Sequence, residues 1–333
     1  MNERSLESIA IQFRIGKIQK NEKIENGLIN QSYLLTTSEG RYVAQALNNN
    51  LWDARVIEDY ASVQSYLRTS GLFVPVLLSS LNGSPAFSHD GALWRCFEYV
   101  PHEIINTPTP EIAHEAGALL GRFHSLMAKS SFLPKFTLPG FHDIRKVRQK
   151  LRDVASLNHN RKKFNLVREE LSFLKQQFEQ TYFPRKISPK IVIHGDPKLN
   201  NFLFHNNKAI ALLDLDTMMR ASPLIDIGDA LRSWCRQKPA SSEFMPEIFE
   251  SAIKGYFGTA PFRYSIPGVK SAMGLITLEL AARYLTDYFE ESYFSLKRDK
   301  YQTLAEQNIV RCRRYIDYYK NFINYSKPYE RDE

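Results

Sequence analysis

The chain has 333 residues, 43% hydrophobic and 24% charged, and at ~100–200 residues per domain it allows two domains or one two-lobed unit. Lys and Arg outnumber Asp and Glu by 44 to 36, a formal net charge of +8; no groove-reading motif accompanies the excess, so an anionic small ligand such as a nucleotide is expected and a nucleic acid is not. No window nears the ~18 consecutive apolar residues of a membrane span, the opening MNERSLESIAIQFRIG lacks a signal-type apolar stretch, and three scattered cysteines fit buried thiols, so a cytoplasmic setting without membrane contact is expected.

In chain order, Ser32–Thr36 and Arg41–Leu47 are β-rich runs joined at Ser38-Glu39-Gly40, a hairpin pattern. Val56, Tyr60, Val63 and Leu67 then recur at helical spacing between Asp53 and Leu67. Two further strands are expected around Ala86 and at Leu93–Val100. Past Pro101 the texture changes. Thr109-Pro110 is a helix-start signal, and Ile112, Ala116, Leu119, Leu120, Phe123 and Met127 share one side of the helix that follows. Helical patterns continue over roughly 143–181, 245–257, 269–290 and 300–324, broken by a β-rich island at 190–216. An α+β fold in two lobes is expected: a small strand-rich N-lobe over residues 1–100 and a larger, mainly helical C-lobe over 101–333.

The island carries the chemistry. The apolar run Ile191–Ile193 enters a polar loop, His194 to Asn201; Phe202–His205 and Ala209–Leu213 then flank Asn206-Asn207-Lys208. Asn tolerates positive φ, so a tight hairpin is the natural reading. That hairpin brings Asp196, Asn201 and Asp214 to one end. Singly, each residue has a plain explanation: Asp and Asn form turns, His194 bonds backbone, and Lys198 is a surface lysine. Together they match the needs of phosphoryl transfer. An acid orients the acceptor hydroxyl, amide and carboxylate oxygens hold Mg²⁺, and a lysine neutralises the transferring group.

His194-Gly-Asp-x-x-x-x-Asn201 followed by Leu213-Asp214 resembles the aminoglycoside phosphotransferase and choline kinase superfamily, whose fold is like that of the protein kinases. Gly27-Leu-Ile-Asn-Gln-Ser-Tyr33, Ala116-Gly-x-x-x-Gly-Arg-Phe-His124 and Asp226-Ile-Gly-Asp229 extend the resemblance over most of the chain. Within it, Arg41-Tyr-Val-Ala-Gln-Ala-Leu-Asn48, Pro139-Gly-Phe-His-Asp-Ile144 and Arg283-Tyr-Leu-Thr-Asp-Tyr288 are similar to the N-acetylhexosamine 1-kinase group.

The resemblance implies ATP and Mg²⁺ as cofactors, Asp196 as catalytic base with Lys198 against the γ-phosphate, and Asn201 and Asp214 as metal ligands; Asp216 would act through water or hold the loop. It places Gly27, Asn30, Gln31 and Ser32 over the phosphates and the backbone of Glu98 and Val100 against adenine. Kinases of this shape usually carry a third-strand lysine paired to a helix glutamate. Here the matching position is Gln45 or Ala46, depending on alignment. Either Arg41 substitutes from the strand's start or nucleotide binding is weakened or the activity lost, and Glu58 is either the partner or a solvated face residue. Arg283 and Asp287, one helical turn apart, and His142 are the acceptor-binding candidates.

The expected activity is transfer of the γ-phosphoryl group of ATP to a sugar hydroxyl, foremost the anomeric hydroxyl of an N-acetylhexosamine. A cationic acceptor (an aminoglycoside or choline) and a degenerate nucleotide-binding protein are the alternatives. The oligomeric state is not legible.

Overall fold

The computed structural model describes residues 3–24, 30–49, 51–105, 107–158, 162–181, 189–237 and 241–325. The N-terminal part is built on strands β1 (Ile18–Ile24), β2 (Gln31–Thr37), β3 (Arg41–Ala46), β4 (Phe87–His89) and β5 (Ala92–Glu98), arranged as one antiparallel sheet in the order β1-β2-β3-β5-β4. Alternation decides its faces. Tyr33, Leu35, Ala44, Ala46, Trp94 and Cys96 turn to one side and form a closed core with Leu6, Ile9 and Ala10 of helix α1 (Glu3–Gln12). The sequence reading passed over α1 and β1.

Helix α2 (Ala54–Thr69) starts where the Asp53 side chain accepts from the Arg55 N–H. Its buried Val56, Ile57, Tyr60, Val63 and Leu67 belong to a second, larger core shared with the helical part. That part contains α3 (Pro110–Met127), α4 (Ile144–Leu157), α5 (Lys162–Asn165), α6 (Arg168–Gln180), α7 (Pro223–Trp234), α8 (Pro246–Thr259), α9 (Ile266–Glu290) and α10 (Leu304–Ile323). The long pattern expected over 143–181 is thus divided among α4, α5 and α6.

Thr109 caps α3, its hydroxyl accepting from the Ile112 N–H, with Pro110 in the first turn. Gly117 and Gly121 let α3 press against α8: a Cβ on Gly117 would lie 2.2 Å from the Ala252 carbonyl oxygen. The glycines of the Ala116–His124 motif therefore serve close helix contact.

Two short ribbons sit within this helical frame: β6 (Ile191–Ile193) pairs with β9 (Met219–Ala221), and β7 (Phe202–His205) with β8 (Lys208–Leu212). The β7–β8 turn holds Asn206 at φ 49° and Asn207 at φ 61°, the left-handed pair a two-residue hairpin requires. Past β5, the Glu103 N–H donates to the Phe204 carbonyl at 2.9 Å, tying the connection between the lobes to this hairpin. The result is an α+β fold with a small antiparallel N-lobe and a helical C-lobe.

Candidate active site

The loop between β6 and β7 is held by a buried carboxylate on α7. Asp226 is fully buried and accepts from the backbone N–H groups of His194 at 2.7 Å and Gly195 at 2.8 Å, and from His124 Nε2 at 2.9 Å. Burial pushes its pKa up, but these donors and the nearby histidines outweigh that and hold it below the ordinary carboxylate value. Asp226 is a positioning residue. His194 does likewise: its Nε2 donates to the Leu213 carbonyl at 2.8 Å, leaving Nδ1 to accept from the Asp196 N–H. Gly195 has φ +89°, and a Cβ there would meet the Thr217 carbonyl oxygen at 2.4 Å.

On this frame Asp196, Lys198, Asn201 and Asp214 come together. Lys198 Nζ lies 2.5 Å from Asp196 Oδ2 and 3.9 Å from Asp214 Oδ2. Burial works against its charge, but Asp196 and Asp214 raise its pKa overall. Asn201 turns its amide nitrogen to the Asp196 carbonyl at 2.8 Å, which fixes the side chain and leaves the amide oxygen as its remaining polar end. Asp214 sits in left-handed backbone, φ 59° and ψ 55°, just past β8, and its side chain is 40% exposed. The protein around it displaces part of its water, and this, then the charge of Asp216, raises its pKa.

This donor set suits a hard divalent cation: one carboxylate oxygen and one amide oxygen, with phosphate and water to complete the shell. Among the described residues no three His, Cys, Asp or Glu side chains form a metal centre of their own. A cation here would need a phosphorylated ligand beside it.

The sequence reading found no cation on the third strand, and the structure places one elsewhere. Arg95 on β5 is 2% exposed; its Nη1 and Nη2 donate to Asp216 Oδ1 and Oδ2 at 2.6 and 2.7 Å. Gln45 stands opposite Arg95 in the β3–β5 ladder, accepts from Arg95 Nε at 3.0 Å and donates to Ser32 Oγ at 3.0 Å. Arg41, at the start of β3, stacks its guanidinium on Tyr99, 4.0 Å from the ring centroid. Glu58 pairs with Lys135 at 2.9 Å, both half exposed, so it is the solvated residue of the two readings. The one available clue to Arg95 was a lone arginine inside the apolar strand Leu93–Phe97.

Of the nucleotide-side residues, Gly27 lies outside the described residues. Asn30 accepts from the Asn48 N–H at 3.1 Å and reaches Asp216 Oδ2 at 3.4 Å. Gln31 accepts from the Tyr33 hydroxyl at 3.4 Å. Glu98 ends β5, its N–H bonded to the Val76 carbonyl, while the Val100 carbonyl accepts from His102 Nδ1.

Of the residues expected to bind the acceptor, His142 donates from Nε2 to the Gly195 carbonyl at 2.7 Å and from Nδ1 to Glu279 Oε2 at 3.0 Å. Burial opposes its charge, yet the Glu279 carboxylate, with smaller help from Asp229 and Gly195, raises its pKa to about 9. Arg283 also acts on Glu279 and stacks between Phe141 and Tyr293. Asp287 does not join them. Its carboxylate accepts from the N–H groups of Ser292, Tyr293 and Phe294 and from Asn308 Nδ2, at 2.7–3.0 Å, so it is spent on the turn after α9.

Sequence reasoning named Asp229 only within a motif, without a role, and missed the residues around it. Asp229 accepts from Arg232 Nε and Nη2 at 2.8 and 2.7 Å, and Arg232 and Arg236 both reach the Tyr315 hydroxyl. Burial would raise the Tyr315 pKa, but the two guanidinium groups bring it below its ordinary value. Trp234 Nε1 donates to the Pro197 carbonyl, linking this group to the loop of Asp196.

Comparison with known proteins places the chain among phosphotransferases. The chain is 24% identical over 231 residues to a homoserine kinase of Methylobacillus flagellatus, covering 67% of this chain and 66% of that one. The chain thus spans just under two thirds of that relative's length. The solved structure of amicoumacin kinase hAmiN in complex with AMP-PNP, Ca²⁺ and Ami superposes with a TM-score of 0.65 at 18% identity, over 95% of this chain and 93% of that one. A microcompartment-associated aminopropanol kinase gives 0.63 at 16%, over 95% and 97%. These likenesses show the fold. The family model that matches residues 20–262 is that of the phosphotransferase enzymes, and the chain belongs to that phosphotransferase family.

Proposed function

We propose that the chain is an ATP-dependent kinase that phosphorylates the hydroxyl of a small molecule carrying both an ammonium and a carboxylate, of the class of homoserine. The observation that carries the kinase reading is the convergence of Asp196, Lys198, Asn201 and Asp214 at one end of the β7–β8 hairpin. Asp196 orients the acceptor hydroxyl. The new bond from its oxygen to the γ-phosphorus forms as the bond to the β–γ bridging oxygen breaks, and the proton passes late to the Asp196 carboxylate. Asn201 and Asp214 would hold Mg²⁺, which supplies charge neutralisation for the phosphates when bound. Lys198 moves its charge from Asp196 to the transferring group. Asn30, Gln31 and Ser32 cover the phosphates, and the backbone of Glu98 and Val100 receives adenine. Residues 1–100 act as the nucleotide lobe and 101–333 as the acceptor lobe.

The acceptor class rests on charge. Beside the loop of Asp196 stand two groups of mixed sign, His142/Glu279/Arg283 and Asp229/Arg232 with Tyr315. A zwitterion finds a partner for each of its charges there, whereas a neutral sugar needs neither. The relatives named homoserine kinase point the same way. The expected sugar acceptor loses Asp287 as a contact but keeps Arg283 and His142, so it remains the comparison. The thiols of Cys96, Cys235 and Cys312 are free and buried, in keeping with a cytoplasmic setting. No helix among the described residues is long and apolar enough to cross a membrane.

A coupled ADP-release assay over homoserine, simple amino alcohols, N-acetylhexosamines, neutral hexoses, choline and aminoglycosides tests the proposal. Release with the zwitterionic acceptors supports it. Release confined to sugars or to polycations replaces the acceptor class, and nucleotide binding without turnover on any acceptor identifies a silent relative.

A further inference from the structure

The Arg95 guanidinium is buried where the N-lobe sheet meets the C-lobe, paired to Asp216, two positions past the candidate metal ligand Asp214. Ser32, Gln45 and Arg95 occupy one row across the sheet, since Ser32 stands opposite Gln45 and Gln45 opposite Arg95. On β5 the alternation sends Trp94 and Cys96 into the closed core with α1, so Arg95 and Phe97 face the other way, and the guanidinium lies 5.0 Å from the Phe97 ring. This face meets Asp216, two residues past Asp214 in the C-lobe.

Of the five N–H donors of Arg95, one goes to Gln45 and two go to Asp216. One N–H on each terminal nitrogen is left over from these bonds. Asn30, from the expected phosphate-covering segment, approaches the same Asp216 carboxylate. Stability alone does not call for this arrangement, because a buried ion pair is often no more stabilising than apolar residues of the same volume. The two N–H groups left over, on a cation held in place by one carboxylate, are however each able to donate a charge-assisted bond to a phosphate oxygen.

We propose that Arg95 binds the phosphates of the nucleotide, with Asp216 as the anchor that aims its guanidinium. Charge that strand β3 lacks at Gln45 is thereby delivered from the neighbouring strand to the same place. The inference rests on the kinase reading and adds a residue to it.

The test compares ADP with adenosine by calorimetry in the presence of Mg²⁺, so that the gain in affinity from the phosphates is read separately from adenine binding. Wild type is expected to prefer ADP strongly. Arg95→Gln should lose about 10- to 100-fold of that preference, the scale of one or two charge-assisted hydrogen bonds, while adenosine affinity stays within about twofold. In the double variant Gln45→Lys/Arg95→Gln, the cation returns on β3 and most of the preference recovers. An ADP preference unchanged in Arg95→Gln makes the ion pair a strut between lobes and overturns the proposal. If Arg95→Gln does not fold, a structure of the wild-type protein with ADP and Mg²⁺ decides. A guanidinium nitrogen within about 3.2 Å of a phosphate oxygen supports the proposal, and Arg95 still bonded only to Asp216 and Gln45 overturns it. A wild-type protein that binds neither ligand defeats the kinase reading itself, an outcome distinct from either.

Discussion

Replacing Asp226 by Asn changes one atom and a charge at the point where the loop of Asp196 is suspended. The carboxylate accepts three hydrogen bonds, from the His194 and Gly195 N–H groups and from His124. The amide can keep at most two of them. Its less costly orientation turns the NH₂ group toward the Gly195 N–H, losing that bond and setting donor against donor in a site with no exposure to water. One charge-assisted bond is worth about 1.5–3 kcal/mol, and the two that remain weaken from charged to neutral. Removing a desolvated charge returns part of this, so a net loss of about 2–4 kcal/mol is expected. With a urea slope of about 3 kcal/mol/M, the unfolding midpoint should fall by about 1 M. The loop also loses its register, and a displacement of order 1 Å at the reacting group costs about 100-fold in kcat. Because the Asp226 carboxyl is held below its ordinary value of 3.8, its stabilisation is present above that value and is lost as pH falls below it. Urea denaturation followed by tryptophan fluorescence and the ADP-release rate measure both effects. An Asp226→Asn protein with wild-type midpoint and rate would refute the suspension role.

Three further outcomes follow from the same geometry. Asp196→Asn should leave ADP affinity within a few fold and reduce turnover by at least about 100-fold, read by ADP release; a rate within tenfold of wild type removes Asp196 from the reaction. Gly195→Ala forces a side chain into left-handed backbone and against the Thr217 carbonyl, so a stability loss of about 1–3 kcal/mol and near-complete loss of activity are expected from denaturation and rate measurements. For His142, the rise from 6.5 to about 9 on folding corresponds to about 3 kcal/mol that is fully present below the unfolded value and lost as pH climbs through about 9. Urea midpoints taken from about pH 6 to about pH 10 should show this alkaline fall in wild type and a flatter profile in His142→Gln; identical profiles contradict the ion pair with Glu279.

Local chemistry made the centre of the site legible. The strand, polar loop and Asn-Asn hairpin at 191–216 are contiguous, so their geometry follows from neighbours in the chain. The helix start marked by Thr109-Pro110 was readable for the same reason, and the spacing of Val56, Tyr60, Val63 and Leu67 showed α2. The ion pair of Arg95 was not, because its partners are 50 and 121 positions away and only sheet register and lobe closure bring them together. Asp287 illustrates the opposite error. Its helical spacing from Arg283 suggested a shared pocket, but at a helix end three N–H groups of the following turn captured its carboxylate. Helix α1 keeps helical spacing at Leu6, Ile9 and Ala10, but its ten residues give the pattern few repeats, and it escaped notice; the Asp226–Asp229 motif drew attention away from α7 as an element. The long pattern at 143–181 hid two breaks between α4, α5 and α6, since periodicity carries through short connections.

The central claim is that Asn201 and Asp214 present their oxygens to a divalent cation that also touches the nucleotide. Calorimetric titration of ADP, with saturating Mg²⁺ and with EDTA, into wild type and into Asp214→Ala tests it without knowledge of the acceptor. Wild type should bind ADP far more tightly with Mg²⁺, and Asp214→Ala should bind it equally weakly in both conditions. Full Mg²⁺ dependence surviving in Asp214→Ala would contradict the account.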